Sequence, residues 1–285
     1  MSIPYARRSL SSRIFWFALS TVTHTVAHFW SNAKQYVPIV ERVQVPITNL
    51  PAELDGLTIA HLSDFHCGPH VHASSLRRAA QMAQALKPDM IALTGDFVQR
   101  RTAYAAECAE ALSVLKAPLG VHAVLGNHDF WDDDRVVAAA LRRKGLAPLR
   151  NESRRVQRGD LPLYIVGLDD VRFHRADLSR ALRGVPAGAP MIVLVHEPDF
   201  ADHAHAENVL LQLSGHSHGG QIRLPRIGAL LLPSWGRKYP MGLRRTPRGV
   251  WVYTTRGIGV AMPPLRLNCP PEVTLLTLTR TAISD

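Results

Sequence analysis

Five short segments carry oxygen and nitrogen donors of the kind that bind divalent cations. They are Asp64-Phe65-His66, Gly95-Asp96, Gly126-Asn127-His128-Asp129, His196, and Gly215-His216-Ser217-His218, and each follows an apolar run. Carboxylate and imidazole ligands suit Mn, Fe, Zn or Mg, and the lack of thiolates argues against a soft-metal site. Two such cations roughly 3.5–4 Å apart can share one carboxylate and one water, and can stabilise both the attacking and the leaving oxygen of a phosphoryl group. That chemistry is phosphate-ester hydrolysis. In Asp64-x-His66 and His216-x-His218, residues i and i+2 point the same way if the backbone is extended. Gly95, Gly126 and Gly215 each sit just before a donor, where a tight turn or a close metal approach needs a missing Cβ.

Such donors need strand ends to hold them. Residues 57–62, 89–94 and 121–125 read as short buried strands, and 73–86, 103–116 and 132–144 carry helical spacing. Pro88, Pro118 and Gly145 stop the three helices. Three strand–loop–helix units in a row predict α/β layering around a parallel core. The second half changes character. Residues 163–168, 191–195 and 209–213 read as strands, with a short helical stretch between the first two. After Gly215 helical signals almost vanish. Strand-like runs at 222–224, 230–232, 250–255 and 273–278 are broken by Gly and Pro, which reads as a mixed, largely antiparallel sheet. Two sheets packed face to face with helices outside account for both halves. In layered α/β folds the carboxyl ends of strands converge on one crevice, where the five segments would meet.

The ordered set D-x-H, G-D, G-N-H-D, H, G-H-x-H, over about residues 57–280, resembles the calcineurin-like metallophosphoesterase superfamily. The run Gly215 to Gln221 and the tail from Gly257-Ile-Gly259 to Pro270-Pro-Glu272 resemble its YkuE/YaeI-type subgroup. That subgroup is similar to the transmembrane-protein-with-metallophosphoesterase family and to a UDP-2,3-diacylglucosamine hydrolase branch. The resemblance implies an α/β fold, a four-layer α/β/β/α sandwich of two mixed sheets flanked by helices. It implies two divalent metal ions (Mn, Fe, Zn or Mg, with Mn expected). Asp64, His66 and His218 would bind the first, Asn127, His196 and His216 the second, and Asp96 would bridge them. A metal-bridging hydroxide would attack phosphorus. His128 would contact the phosphate and protonate or stabilise the leaving oxygen, and Asp129 would hydrogen-bond His128. The implied substrate is an anionic phosphodiester or pyrophosphate, with UDP-2,3-diacylglucosamine in lipid A biosynthesis as one lipid-linked case. A generic phosphodiesterase or phosphatase, a nuclease, and a non-catalytic scaffold are the alternatives.

The remaining residues take plainer readings. His61 reads as a packed strand residue, and His70, His72, His122, His174, His203 and His205 as surface or loop. Cys67 reads as a small packed residue, Asp132-Asp133-Asp134 as a helix start, and Asp169-Asp170 as a turn or crevice rim. Arg237, Lys238, Arg244, Arg245 and Arg248, interleaved with Trp235, Tyr239 and Trp251, suit either an anionic substrate or an ordinary hairpin surface.

The chain has 285 residues, 46% hydrophobic and 20% charged, which excludes wholesale disorder. Three unpaired-looking cysteines exclude a disulfide scaffold. The net charge of +10 favours anionic partners, but no nucleic-acid-binding module is visible. Residues 1–36 form a basic, aromatic segment ahead of a metallophosphoesterase domain at 37–285. Its apolar run after Arg7, Arg8 and Arg13 is too short and polar for a spanning helix. A peripheral membrane anchor, a helix packed on the domain and a twin-arginine export signal stay open. The expected location is the cytoplasm or the cytoplasmic membrane surface.

Overall fold

The structure is a computed structural model that describes residues 37–204 and 208–281. The expectations for residues 1–36 and for His205 therefore lie outside the described residues. In chain order the strands and helices are β1 (Ile39–Thr48), β2 (Thr58–Leu62), α1 (Ala73–Ala85), β3 (Met90–Thr94), α2 (Ala105–Leu112), β4 (Val121–Val124), α3 (Asp134–Arg143), β5 (Glu152–Arg158), β6 (Leu161–Gly167), α4 (Leu178–Ala181), β7 (Met191–Leu194), β8 (Val209–Ser214), β9 (Arg223–Leu224), β10 (Gly228–Ala229), β11 (Gly242–Arg245), β12 (Trp251–Thr254) and β13 (Glu272–Thr281). One sheet runs β1-β13-β2-β3-β4, a second runs β11-β12-β8-β7-β6-β5, and β9 and β10 form a separate ribbon.

Side-chain alternation builds the layers. In β2, Ala60 and Leu62 face the helices, while Ile59 faces the other sheet. Helix α1 buries Leu76, Ala79, Ala80 and Ala83, a stripe at helical spacing, and the small alanines let it lie close on the sheet. It ends where Lys87 turns left-handed ahead of Pro88. Helices α2 and α3 complete that roof. Asp133 caps α3 by accepting from Arg135 N at 3.0 Å, and Arg142 and Arg143 close its last turn. Between the sheets, Met90, Ala92, Ile165, Ile192, Leu194, Leu211 and Leu213 form a second apolar layer. The outer face of the second sheet buries Val166, Val193 and Val195 under α4 and a 3-10 turn at Pro198–Asp202. The result is a four-layer α/β/β/α sandwich whose fourth layer is thin.

The structure corrects several expectations. The second sheet is not largely antiparallel: β12, β8, β7 and β6 pair in parallel, and only its edges, β11 and β5, run antiparallel. The helix expected at 103–116 is a 3-10 turn at Thr102–Tyr104 followed by the shorter α2. Residues 230–232 form no strand; β10 ends at Ala229. His122 is buried within β4, its Nε2 on Leu119 O at 2.9 Å, rather than on the surface. Among the described residues no helix is long and apolar enough to cross a membrane. Strands β2, β3, β4, β7 and β8 all end at the same junction between the sheets, and each runs directly into one of the five donor segments.

Candidate metal centre

Asp64, His66, Asp96 and His218 are buried, and one donor atom from each lies within 4.8 Å of all the others. His218 Nε2 is 2.9 Å from His66 Nε2 and 3.3 Å from Asp64 Oδ1. Asp96 Oδ2 stands between this group and a second one, 3.5 Å from His66 Nε2 and 3.2 Å from His196 Nε2. The His216 ring lies 5.0 Å from the His196 ring, and the Asn127 amide nitrogen donates to His216 Nδ1 at 2.8 Å. His128 is held beside them by its backbone N–H, which donates to Asp96 Oδ1 at 2.7 Å. Its ring meets His66 edge-on at 4.6 Å. The structure thus brings all seven expected donors and His128 to one place.

The backbone achieves this by means the extended-chain argument did not anticipate. Asp64, His66, Asp96, His216 and His218 all have positive φ, between 46° and 70°. Such conformations cost roughly 1–3 kcal/mol each and persist only where surrounding contacts fix them. Here Asp64 N donates to Gly95 O at 2.9 Å, His66 N to Asp96 O at 2.9 Å, and Gly259 N to Asp64 O at 2.7 Å. Left-handed kinks, not a straight strand, therefore aim both members of each pair at one centre. The glycine expectation fits at all three positions: Gly95 has a φ of 92° and a Cβ there would strike the Gly126 backbone. A Cβ on Gly126 would strike the Asp96 carboxylate and His196 Nδ1, and one on Gly215 would strike Ser63 and the Asp64 carboxylate.

Hydrogen bonds fix which nitrogens carry lone pairs. His196 Nδ1 donates to Thr94 O at 2.6 Å, so its Nε2 is left bare, without a hydrogen-bond partner and facing a carboxylate. His216 Nε2 donates to Ser234 O at 2.8 Å, so its Nδ1 carries the lone pair and accepts from the Asn127 amide nitrogen at 2.8 Å. At His196 an acceptor nitrogen faces a carboxylate in a buried site, which calls for positive charge between them. Without a cation the cluster borrows protons. Burial opposes charge on His196, but Asp96 and then Asp64 outweigh it and hold its pKa well above the ordinary value. Asp96 is likewise held well below the ordinary carboxylate range, against burial, by His196 and His128. Burial pushes Asp64 up to about 7, and pushes His66 and His216 down to about 3. Neutral imidazoles beside carboxylates are the donor set a pair of divalent cations takes.

Asp129 does something other than expected. Its Oδ1 accepts from Phe97 N at 2.8 Å and Val98 N at 3.1 Å, and its Oδ2 from Gly126 N at 2.9 Å. Both oxygens are spent on backbone, and His128 Nδ1 has no partner. Asp129 ties the Asp96 loop to the Asn127 loop instead of orienting His128. Sequence reasoning also missed Arg172, whose Nη1 lies 3.3 Å from the Asn127 side chain. It sits just past the end of β6, in the same relation to a strand end as the donors. Asp170, read as a turn or rim, is fully buried beside Glu197. Cys67 is a packed, free thiol.

Residues 57–220 match the model of the calcineurin-like phosphoesterase family. The chain belongs to that family. Among curated metallophosphoesterases it is 34% identical to "Uncharacterized metallophosphoesterase YkuE" of Bacillus subtilis over 81% of this chain and 82% of that one. It is 32% identical to "Phosphodiesterase YaeI" of Escherichia coli over 77% and 81% of the two chains. It is also 32% identical to "Transmembrane protein with metallophosphoesterase domain" of Danio rerio, over 87% of this chain but only 58% of that protein's length. These relatives agree with the YkuE/YaeI-type assignment within the calcineurin-like phosphoesterases.

Proposed function

We propose that this protein hydrolyses a phosphodiester or pyrophosphate bond using two divalent cations held at the junction of the sheets. The observation that carries the reading is the buried convergence of Asp64, His66, Asp96 and His218, whose donor atoms lie within 4.8 Å of one another, with the bare His196 Nε2 3.2 Å from Asp96 Oδ2. Asp64, His66 and His218 would hold one cation, Asn127, His196 and His216 the other, and Asp96 Oδ2 would be shared. When bound, such cations supply Lewis acidity, lowering the pKa of water and offsetting phosphoryl charge. His128 delivers a proton to the departing oxygen. Burial, reinforced by Arg100 and Arg172, depresses its pKa against the pull of Asp96, so a protonated ring gives its proton up readily. Arg172 balances charge on the bound ester.

Within this class the favoured substrate is a lipid-linked nucleotide pyrophosphate of the UDP-2,3-diacylglucosamine kind, placing the protein in lipid A biosynthesis. Manganese is the expected metal, and the cytoplasmic membrane surface the expected location. A substrate panel tests the reading. Protein loaded separately with Mn, Fe, Zn or Mg is given bis-p-nitrophenyl phosphate, p-nitrophenyl phosphate, and UDP-2,3-diacylglucosamine in detergent. The expected result is diester turnover that a chelator abolishes and one metal restores. Metal-loaded protein that turns over no ester overturns the phosphoesterase reading, and failure on the lipid nucleotide alone removes the lipid A assignment.

A further inference from the structure

The ribbon of β9 and β10 grows directly out of the turn that carries His218. It pairs Leu224 with Gly228 and Arg223 with Ala229, closing through Pro225-Arg226-Ile227. Its root is tied to the site. Arg223 Nη1 donates to Gly219 O at 2.8 Å, Arg223 N donates to Leu267 O at 2.9 Å, and Ala229 packs where a Cβ on Gly220 would sit. The Gln221 side chain clamps the neighbouring loop, accepting from Ala261 N at 2.8 Å and donating to Ala261 O at 3.2 Å. The tip has no such packing. Ile227 is 71% exposed, Leu231 62% and Leu230 50%, and Met262 and Leu267 on the adjoining loop are exposed too. Isolated exposed leucines are ordinary, but a protruding run of them beside a buried polar site is an interaction surface.

Charge identifies the occupant. Between Glu207 and Glu272 the sequence holds nine Arg and Lys and not one Asp or Glu. Of these, Arg266 is buried, Arg256 pairs with Glu41 and Glu272, and Lys238 pairs with Asp202, while Arg223 and Arg226 lie in the ribbon itself and Arg237, Arg244, Arg245 and Arg248 are exposed along the segment that follows. Apolar side chains projecting from a wholly cationic stretch match an anionic bilayer, whose headgroups attract the arginines while its acyl boundary takes up the leucines. We propose that the 223–232 ribbon docks the protein on an anionic membrane surface and brings the mouth of the metal site to the headgroup layer. This rests on the phosphoesterase reading and deepens it: the substrate class is then a phosphoester anchored in a bilayer, taken from the surface rather than from solution.

The test labels the tip itself, so that contacts made elsewhere in the full chain do not register. Cys67, Cys108 and Cys269 are all buried, so Leu230→Cys in the full-length protein takes an environment-sensitive fluorophore selectively. Vesicles are phosphatidylcholine with phosphatidylglycerol, or phosphatidylcholine alone, each with and without nitroxide-bearing lipid. The expected result is a blue shift and nitroxide quenching on anionic vesicles, with apparent affinity about tenfold or more weaker on neutral ones and after Ile227→Glu with Leu231→Glu. An unshifted label overturns the proposal, even if the chain sediments with vesicles. So does light scattering that shows self-association lost in the double variant, since a second copy would then cover the tip. Turnover of bis-p-nitrophenyl phosphate by the same labelled protein reads the phosphoesterase function separately, so failure of docking and failure of catalysis are told apart.

Discussion

The five-stranded sheet, roofed by three helices, supplies both cluster carboxylates, the Asn127 amide, His66 and His128; the six-stranded sheet supplies only imidazoles, His196, His216 and His218. The first half is regular and carries both carboxylates of the cluster, Asp64 and Asp96. The second is rich in Gly- and Pro-broken coil, and from residue 208 to 271 it has no acid at all. The division separates two tasks. Negative charge that must hold cations is fixed deep in the stiffer half. The irregular half contributes imidazoles, and its sequence from 208 to 271 carries only positive charge. Neither half is a site alone, because Asp96 Oδ2 meets His196 only across the closed junction.

The sharpest way to break this comparison is at Asp96 and His128, which serve different ends from the same sheet. His128→Ala is expected to keep both metals and lose roughly 10²–10⁴-fold in kcat, the usual loss for a proton donor. Asp96→Asn is expected to lose at least as much and to lose metal too, because the negative charge between His66 and His196 is gone. Elemental analysis beside kinetics separates the two. Full turnover by metal-loaded His128→Ala would leave catalysis to the donor cage alone and remove His128 from the mechanism.

A second test asks whether the junction, rather than the fold at large, makes the site. Leu213 packs between the sheets on the strand leading to His216, and Leu76 of α1 packs in the helical layer, on no strand that carries a donor. Truncating either to Ala should cost about 2–5 kcal/mol in a urea titration. Only Leu213→Ala should also weaken metal retention, measured by competition with a chelator. Equal loss of metal in Leu76→Ala would mean that general loosening releases the cations, and the two-halves account would fail.

What the sequence revealed divides along a physical line. Strands β2, β3, β4, β7 and β8 were legible because buried strands are short unbroken apolar runs, and every donor segment followed one. Apart from the two-residue β10, the strands that escaped notice are β1, β5 and β11, and all lie at sheet edges. The central Ser-Arg-Arg-Val-Gln of β5 offers a single apolar residue, since its one partner is β6 and its other side is open. In β1 the alternation Val43, Val45, Ile47 was present but broken by Pro46, a residue an edge strand tolerates. The donor types at the cluster were legible for the same reason as the strands before them. Their backbone was not, because a left-handed Asp or His carries no mark in the sequence and is fixed by contacts with residues far away, such as Gly95 and Gly259. Asp129 was misassigned because adjacency in the chain suggested His128, whereas its side chain turns back onto Phe97, Val98 and Gly126.

The smallest expected effect concerns a histidine of the junction that is not a donor. His61 on β2 faces the second sheet, with Nε2 on Thr94 Oγ1 at 2.8 Å and its ring edge-on to Tyr253 at 6.0 Å. Burial lowers its pKa from 6.5 to about 3. A histidine with a depressed native pKa binds its proton more readily unfolded. Its contribution to stability is therefore intact above pH 6.5 and is lost as pH falls toward 3. Between about pH 7 and about pH 5 the loss amounts to about 2 kcal/mol. His61→Gln should remove that share of the acid sensitivity while leaving metal content unchanged, read from chemical denaturation of the two proteins at both pH values. If the variant keeps the full acid sensitivity, the titrating imidazoles that matter are those of the cage, and the junction is held by its donors rather than by its apolar layer.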